Sequence, residues 1–338
     1  PICLVLCGSY IRFFEENVLN GPAYGRHTGF IQLHPLSYRE AGLFLPGWSA
    51  EDRIRAFAVT GGMPHYLRQL DPHGSLAWNI AHNVLERGAV LYQEAELVVR
   101  EELREPRVYY SILRAISDGC TEASKISDRV QLAPRTNIAP YLQTLRDLGF
   151  VDNREAVVGR TMRRGIWILA DPYLRFWFRF VLPNKQQLDT GHDVERFYRT
   201  AVAPRLDDFV SKPIFEDICR AWVGQQIALG AWPGVTKVGS WWGPMPKPLP
   251  DNRRNQVEAE IAVVAAAGDQ VVLAGEAKWT NKPVGFDVLN HLRSVVDNLP
   301  GADASTQLML FGRRFEPRLG AAAEAEGIRL ITPAQLYA

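Results

Sequence analysis

The sequence predicts a multidomain α/β protein: a largely helical front and middle, then a mixed sheet flanked by helices. Three observations carry that prediction. The chain has 338 residues, more than one ordinary hydrophobic core accommodates, which suggests two or three domains. From residue 36 to residue 229 apolar residues recur mainly at helical spacing. From residue 235 onward, runs of strand character alternate with helical ones, the pattern of helices laid on a sheet.

Composition narrows the class. Lys plus Arg number 38 against 37 Asp plus Glu, a net charge of +1, so any nucleic-acid footprint must be local. No run approaches the roughly 18 apolar residues of a membrane span, and the longest, residues 261–267, reads as a strand. Cys3, Cys7, Cys120 and Cys219 form no Cys-x-x-Cys pair, and the seven histidines are scattered. Neither zinc nor a disulfide framework is indicated, and a reduced, cytoplasmic protein without a membrane partner is expected. Residues 1–9 read as a buried strand running into a turn, with neither a methionine nor a basic leader before it, so the chain is expected to begin inside a domain.

A helix over residues 10–19, a loop with Gly25-Arg26-His27 and a strand at residues 30–33 follow. Helices then fill residues 36–104. Ser49-Ala50-Glu51-Asp52 reads as a capping box, Ile54, Phe57 and Ala58 share a face, Gly61-Gly62 ends that helix, and Pro64 starts another. Residues 106–170 change rhythm: three helices, then two short strands bracketing a loop with Arg160, Arg163 and Arg164. That succession predicts a winged helix-turn-helix. Its third helix turns Ile138, Tyr141, Leu142, Leu145 and Leu148 inward, with Pro140 in the first turn where its missing N–H does least harm. The segment holds ten Arg or Lys against six Asp or Glu, a surplus of four. Arg135, Thr136, Asn137, Gln143 and Arg146 are its expected exposed positions, suited to phosphates and base edges, and double-stranded DNA is the expected partner.

The aromatic run at residues 172–180 is expected to fill a core rather than stack bases. Phe215, Ile218, Cys219 and Trp222 form a helical stripe with Glu216 beside it. After a strand at residues 235–242 comes a hairpin over residues 256–280, turned at Gly268-Asp269 and ending in Gly275-Glu276-Ala277-Lys278-Trp279. Strand alternation points Glu276 and Lys278 the same way, as it does Glu258, Glu260 and Ala262. Carboxylates on one strand and Glu-x-Lys on the next can hold magnesium and orient a water with the ammonium, as in a metal-dependent nuclease. The same dipeptide spacing also makes an ordinary solvated pair.

These residues, taken in order, resemble a known family. Leu4-Val5-Leu6-Cys7-Gly8-Ser9, Tyr24-Gly25-Arg26, Gly61-Gly62-Met63-Pro64-His65-Tyr66-Leu67 and Phe176-Trp177-Phe178-Arg179-Phe180 look like the archaeal-type AAA+ ATPases of archaea and bacteria. Gly239-Ser240-Trp241-Trp242-Gly243, Glu260-Ile261 and Gly275-Glu276-Ala277-Lys278-Trp279 resemble their C-terminal domain, which is related to PD-(D/E)xK nucleases. The resemblance implies the end of a AAA+ core at residues 1–35, a helical lid at 36–105, the winged helix at 106–170, a helical connector at 171–205 and a nuclease-like α/β domain at 206–338. It implies ATP and magnesium as cofactors. It makes Ser9, Arg26 and Pro64 accessories to a nucleotide site, and Glu216, Glu276 and Lys278 the catalytic set, with Glu276 a metal ligand.

Two departures temper those implications. No G-x-x-x-x-G-K-S/T loop occurs in the sequence, so no ATP turnover is expected of this chain without a further ATPase half. Ala262 stands where the family has an aspartate. Glu260 and Glu258 are the substitutes on that strand, about 6.6 and 13 Å farther along at roughly 3.3 Å per residue. The expectation is a DNA-associated AAA+ family fragment with a degenerate nuclease-like domain. The alternatives are a regulatory or assembly module, as in a toxin–antitoxin pair or a homo-oligomer, and an active magnesium-dependent nuclease.

Overall fold

A computed structural model of the chain describes Val5, residues 28–29, Ile31 and residues 33–103, 106–131, 137–159, 165–191, 193–247 and 255–338. The strand and helix expected within residues 1–19, and Ser9 and Arg26, lie outside these residues. The strand expected at residues 30–33 is not formed at its described positions. Ile31 and Leu33 are exposed and pair with no strand among the described residues.

Helix α1 (Tyr38–Gly42) opens with a reciprocal capping box between Ser37 and Glu40. Helix α2 (Ala50–Thr60) is capped by Ser49, whose hydroxyl accepts from the Asp52 N–H. The return half of the expected box is not made. Asp52, one methylene shorter than Glu, instead takes the Ser49 hydroxyl at 3.0 Å and pairs with Arg55 at 2.9 Å. Helix α3 (Pro64–Leu67) follows Gly61-Gly62. A Cβ on Gly62 would lie 1.9 Å from the Leu36 carbonyl oxygen, so a close backbone approach explains that glycine. Helix α4 (Leu76–Ile80) runs on through a π turn at Ala81–Leu85, and α5 (Val90–Glu102) completes this helical layer.

Helices α6 (Pro106–Ser117), α7 (Ala123–Val130) and α8 (Ala139–Asp147) lead into the antiparallel strands β1 (Val151–Arg154) and β2 (Ile166–Leu169). Ile138, Leu142 and Leu145 are buried and Pro140 lies in the first turn of α8, as the pattern requires. Tyr141 and Leu148 are only partly buried. Helix α9 (Pro172–Phe176) and the π turn Trp177–Val181 carry the aromatic run into the core. Trp177 Nε1 donates to the Tyr92 carbonyl at 2.8 Å, and the Tyr173 hydroxyl donates to the Leu91 carbonyl at 2.6 Å. Rings so buried and bonded pack the helical layer and are closed to bases.

Helices α10 (Lys185–Asp189), α11 (Val194–Phe197) and α12 (Ala203–Phe209) lead to α13 (Glu216–Ala228). A five-stranded sheet follows in the order β3 (Lys237–Lys247), β4 (Asn255–Ala267), β5 (Gln270–Lys278), β6 (Gln307–Gly312), β7 (Arg329–Ile331). The first two pairings are antiparallel and the last two parallel, so the sheet is mixed. Helices α14 (Phe286–Val296) and α15 (Pro317–Ala325) connect the parallel strands. They bury Leu289, Leu292, Val295 and Leu319 against Ile261, Val264, Ala274 and Leu310. The stripe of α13, with Phe215, Ile218, Cys219 and Trp222 all buried, joins the other core, which includes Leu273, Ala277, Met309 and Phe311. Strand β5 is therefore covered on both faces, as its near-continuous apolar run predicts.

A last helix, α16 (Pro333–Tyr337), was not signalled by apolar spacing. It returns to α1, where the Tyr38 hydroxyl donates to the Leu336 carbonyl at 2.7 Å. One apolar core accordingly runs from Tyr38 to Leu336, through the rhythm changes at residues 105, 170 and 205. No helix among the described residues is long and apolar enough to cross a membrane.

Candidate functional site

The carboxylates named by the sequence pattern converge at the start of α13 and the adjoining strands. Glu216 opens α13 beside the stripe and is 4% exposed, a buried carboxylate. Two cations flank it: Lys212 Nζ at 3.4 Å and Arg220 Nη1 at 3.8 Å. Lys212 reaches this position because the chain leaves helical geometry there, with φ −130° and ψ 129° inside the turn that precedes α13. The same ammonium donates to Glu260 Oε2 at 2.8 Å. On β5, Lys278 Nζ meets Glu276 Oε1 at 2.6 Å, so the two side chains share a face as alternation demands.

The electrostatics distinguish these groups. Burial pushes the Glu216 carboxyl up, to about 6; Lys212 and Arg220 pull it down, and the charges of Glu260 and Glu276 push it up further. Lys212 is lowered by partial burial, but Glu216, Glu260 and Glu276 outweigh that and leave it above the ordinary lysine value. Three carboxylates thus act on one ammonium. Next to Glu216, Asp217 is bound by Arg154 Nη2 at 2.6 Å and by Arg220 Nη2 at 2.6 Å. Burial raises the Asp217 carboxyl and the two guanidiniums more than reverse it. Arg220 also donates to the Ala262 carbonyl. The aspartate position of the resembled family is therefore a buried methyl whose backbone oxygen already has a cationic donor.

The donor set does not fit magnesium. A hard divalent cation needs several free oxygens in octahedral array. Here Glu216, Glu260 and Glu276 each face an ammonium or a guanidinium, and Ala262 supplies no side-chain oxygen. No group of three or more potential metal ligands exists among the described residues. Sequence reasoning found Glu216, Glu260, Glu276 and Lys278 but missed Lys212, Asp217 and Arg220. The spacings Lys212-x-x-x-Glu216-x-x-x-Arg220 were available as a signal, although Pro213 hid the first of them.

The expected nucleic-acid face is less concentrated. Asn137 is exposed and its Oδ1 accepts from the Ala139 N–H at 3.0 Å, a local cap. Gln143 is exposed and donates to Asp147 at 2.6 Å. Arg135, Arg160, Arg163 and Arg164 lie outside the described residues. Pro64 is exposed at the first position of α3. The loop root between β1 and β2 packs on the large sheet: the Val157 N–H donates to the Ser240 carbonyl at 3.0 Å, and Val158 is buried with Trp241.

Comparison with known proteins adds a partial match to a family without a role. Residues 177–290 match the DUF234 model, described as archaeal and bacterial proteins of unknown function. An uncharacterised protein of Methanocaldococcus jannaschii is 24% identical over 246 residues, covering 71% of this chain and 54% of that protein. A solved structure, protein VC1899 from Vibrio cholerae, aligns at 15% identity with a TM-score of 0.30, over 93% of this chain and 62% of that one. The chain spans about half the length of the curated relative it matches. The shared ground is a mixed α/β chain similar to archaeal and bacterial proteins of unknown function.

Proposed function

We propose that this chain is a DNA-associated protein whose α/β unit is a nuclease-like fold that binds without cutting. One observation carries the non-cutting part: the Lys212 ammonium lies between Glu216 and Glu260, while Ala262 occupies the position of the missing aspartate. An internal ammonium supplies the counter-charge that a divalent ion would otherwise supply, but cannot activate a water as a metal does. The three helices and hairpin of residues 106–170 are proposed as a winged helix-turn-helix, supported by their element order and their surplus of four positive charges. The AAA+ origin of the front segment, and ATP hydrolysis only together with a further ATPase half, are proposals that rest on the resemblance alone.

Binding of a fluorescent 20-base-pair duplex, followed by anisotropy across a salt series, tests the DNA reading. Phosphate contacts predict a steep fall in affinity with salt, flattened in Arg160→Ala/Arg163→Ala/Arg164→Ala. Absence of binding at low salt would refute it and favour the second reading, an interaction module. That alternative has its own support, since the loop root at Val157 and Val158 and the Arg154–Asp217 pair spend the hairpin on packing against the large sheet.

A further inference from the structure

Between the three-helix unit and the connector lies a crevice of about 350 Å³ that is separate from the carboxylate cluster apart from one shared side chain, Lys212. We propose that this crevice binds a terminal phosphate monoester, carried by a mononucleotide or by the phosphorylated end of a nucleic-acid strand. Its lining includes Arg175, Arg179, Arg205 and Lys212 against a single carboxylate, Asp208.

Arg175 is the first reason. One of its terminal nitrogens donates to the Leu169 carbonyl, while the other, Nη1, is buried with no hydrogen-bond partner among the described residues. Burial pushes this guanidinium down to about 10, with Asp217 raising it and Arg154 lowering it, so it stays charged at neutral pH. No acceptor neutralises that nitrogen, so the positive field of the guanidinium reaches the crevice that Arg175 lines and favours an anion there. Arg179 and Arg205 are the second reason. Both are exposed, and neither has a hydrogen bond or ion pair among the described residues.

Charge counting selects the anion. Lys212 is already spent on Glu216 and Glu260. Three guanidiniums less Asp208 leave two positive charges. A phosphate monoester carries about −1.5 to −2 at neutral pH, whereas a carboxylate or an internal phosphodiester carries only one negative charge. Guanidinium forks also match phosphate oxygens two at a time. The size fits more than a bare phosphate, since small-molecule sites run from about 300 to 1,000 Å³. The partly buried faces of Trp167 and Phe209 supply an apolar wall for a base.

Titration calorimetry on the full chain at low salt decides the matter, with thymidine 5′-monophosphate, 5′-phosphorylated dT12 and unphosphorylated dT12 as probes. The expected result is binding of at least one phosphorylated probe, weakened about tenfold or more by Arg179→Ala/Arg205→Ala. Both arginines are exposed, so the variant should keep the melting temperature of the parent; Arg179→Lys/Arg205→Lys checks that the fork matters beyond charge. Binding of the mononucleotide identifies a free ligand, and binding of phosphorylated dT12 alone identifies a strand end. Arg160→Ala/Arg163→Ala/Arg164→Ala, which tests duplex binding, should leave mononucleotide affinity unchanged. The proposal is overturned if neither phosphorylated probe binds, if unphosphorylated dT12 binds equally well, or if the Arg179/Arg205 variants bind like the parent.

Discussion

Two charge clusters flank the C-terminal half of this molecule, and they are balanced in opposite senses. Around Asp207, Arg55 donates at 2.8 Å, Arg313 at 3.0 Å and Trp279 Nε1 at 2.9 Å, while the two guanidinium carbons lie 5.4 and 5.1 Å from the Trp279 ring. Burial raises that carboxyl, but the hydrogen bonds from Arg55 and Trp279 and the two positive charges bring it below the ordinary aspartate value. Around Glu216, burial and like charges win, and the carboxyl rises to about 6. The difference teaches what each cluster is for. The first is an ion-paired knot tying α2, α12 and the ends of β5 and β6; the second is a carboxylate cluster held at a cost.

The largest expected effect breaks the knot. Asp207→Ala removes the carboxylate shared by Arg55, Arg313 and Trp279, leaving the guanidiniums to Asp52 and Glu51, and should cost about 3 kcal/mol in a denaturant melt. An acid melt sharpens the same point: with its folded value depressed, Asp207 contributes stability above pH 3.8 that is lost as pH falls through the folded value. A loss below 1 kcal/mol in Asp207→Ala would mean that the cluster is only a surface network.

Glu216→Gln probes the opposite balance. A carboxyl raised from 4.5 to about 6 contributes stability below pH 4.5 that is lost as pH rises to about 6. At roughly 1.4 kcal/mol per unit, Glu216→Gln should gain about 2 kcal/mol at pH 7.5 and flatten the pH profile between those values. A less stable variant at pH 7.5 would show that the charged form is the one the fold prefers.

Trp279→Phe keeps an aromatic ring beside the guanidiniums and removes the Nε1 donor to Asp207, with an expected loss of about 1 kcal/mol. Smallest is His82, held between Glu86 at 2.8 Å and Glu195 at 3.2 Å. The Glu86 hydrogen bond leads in raising its pKa above 6.5 against burial, so its contribution is full below 6.5 and fades as pH climbs through the folded value. His82→Gln should erase that slope in a thermal melt and leave acid behaviour unchanged.

The clusters also differ in how far the sequence exposes them. Glu276 and Lys278 are legible because strand alternation is strict, and the burial of Phe215, Ile218 and Cys219 because helical spacing is. The aromatic run resolved as core for the same reason. Lys212 was hidden, since its role depends on an extended residue inside a helical stretch that Pro213 interrupts. The Asp207 knot was illegible for another reason: Glu51, Arg55, Asp207, Trp279 and Arg313 are brought together only by tertiary packing, across 262 residues of chain. Polar partners so remote leave no periodic trace, whereas apolar faces do.

The central proposal is that the α/β unit binds DNA without cutting it, with the Lys212 ammonium supplying the counter-charge among the carboxylates. The most direct test is incubation of the purified wild-type chain with duplex and single-stranded DNA in excess magnesium, beside Lys212→Ala and Lys278→Ala. The account predicts intact DNA in every case, with DNA binding retained by the wild type. Magnesium-dependent cleavage by the wild type that disappears in Lys278→Ala would contradict it.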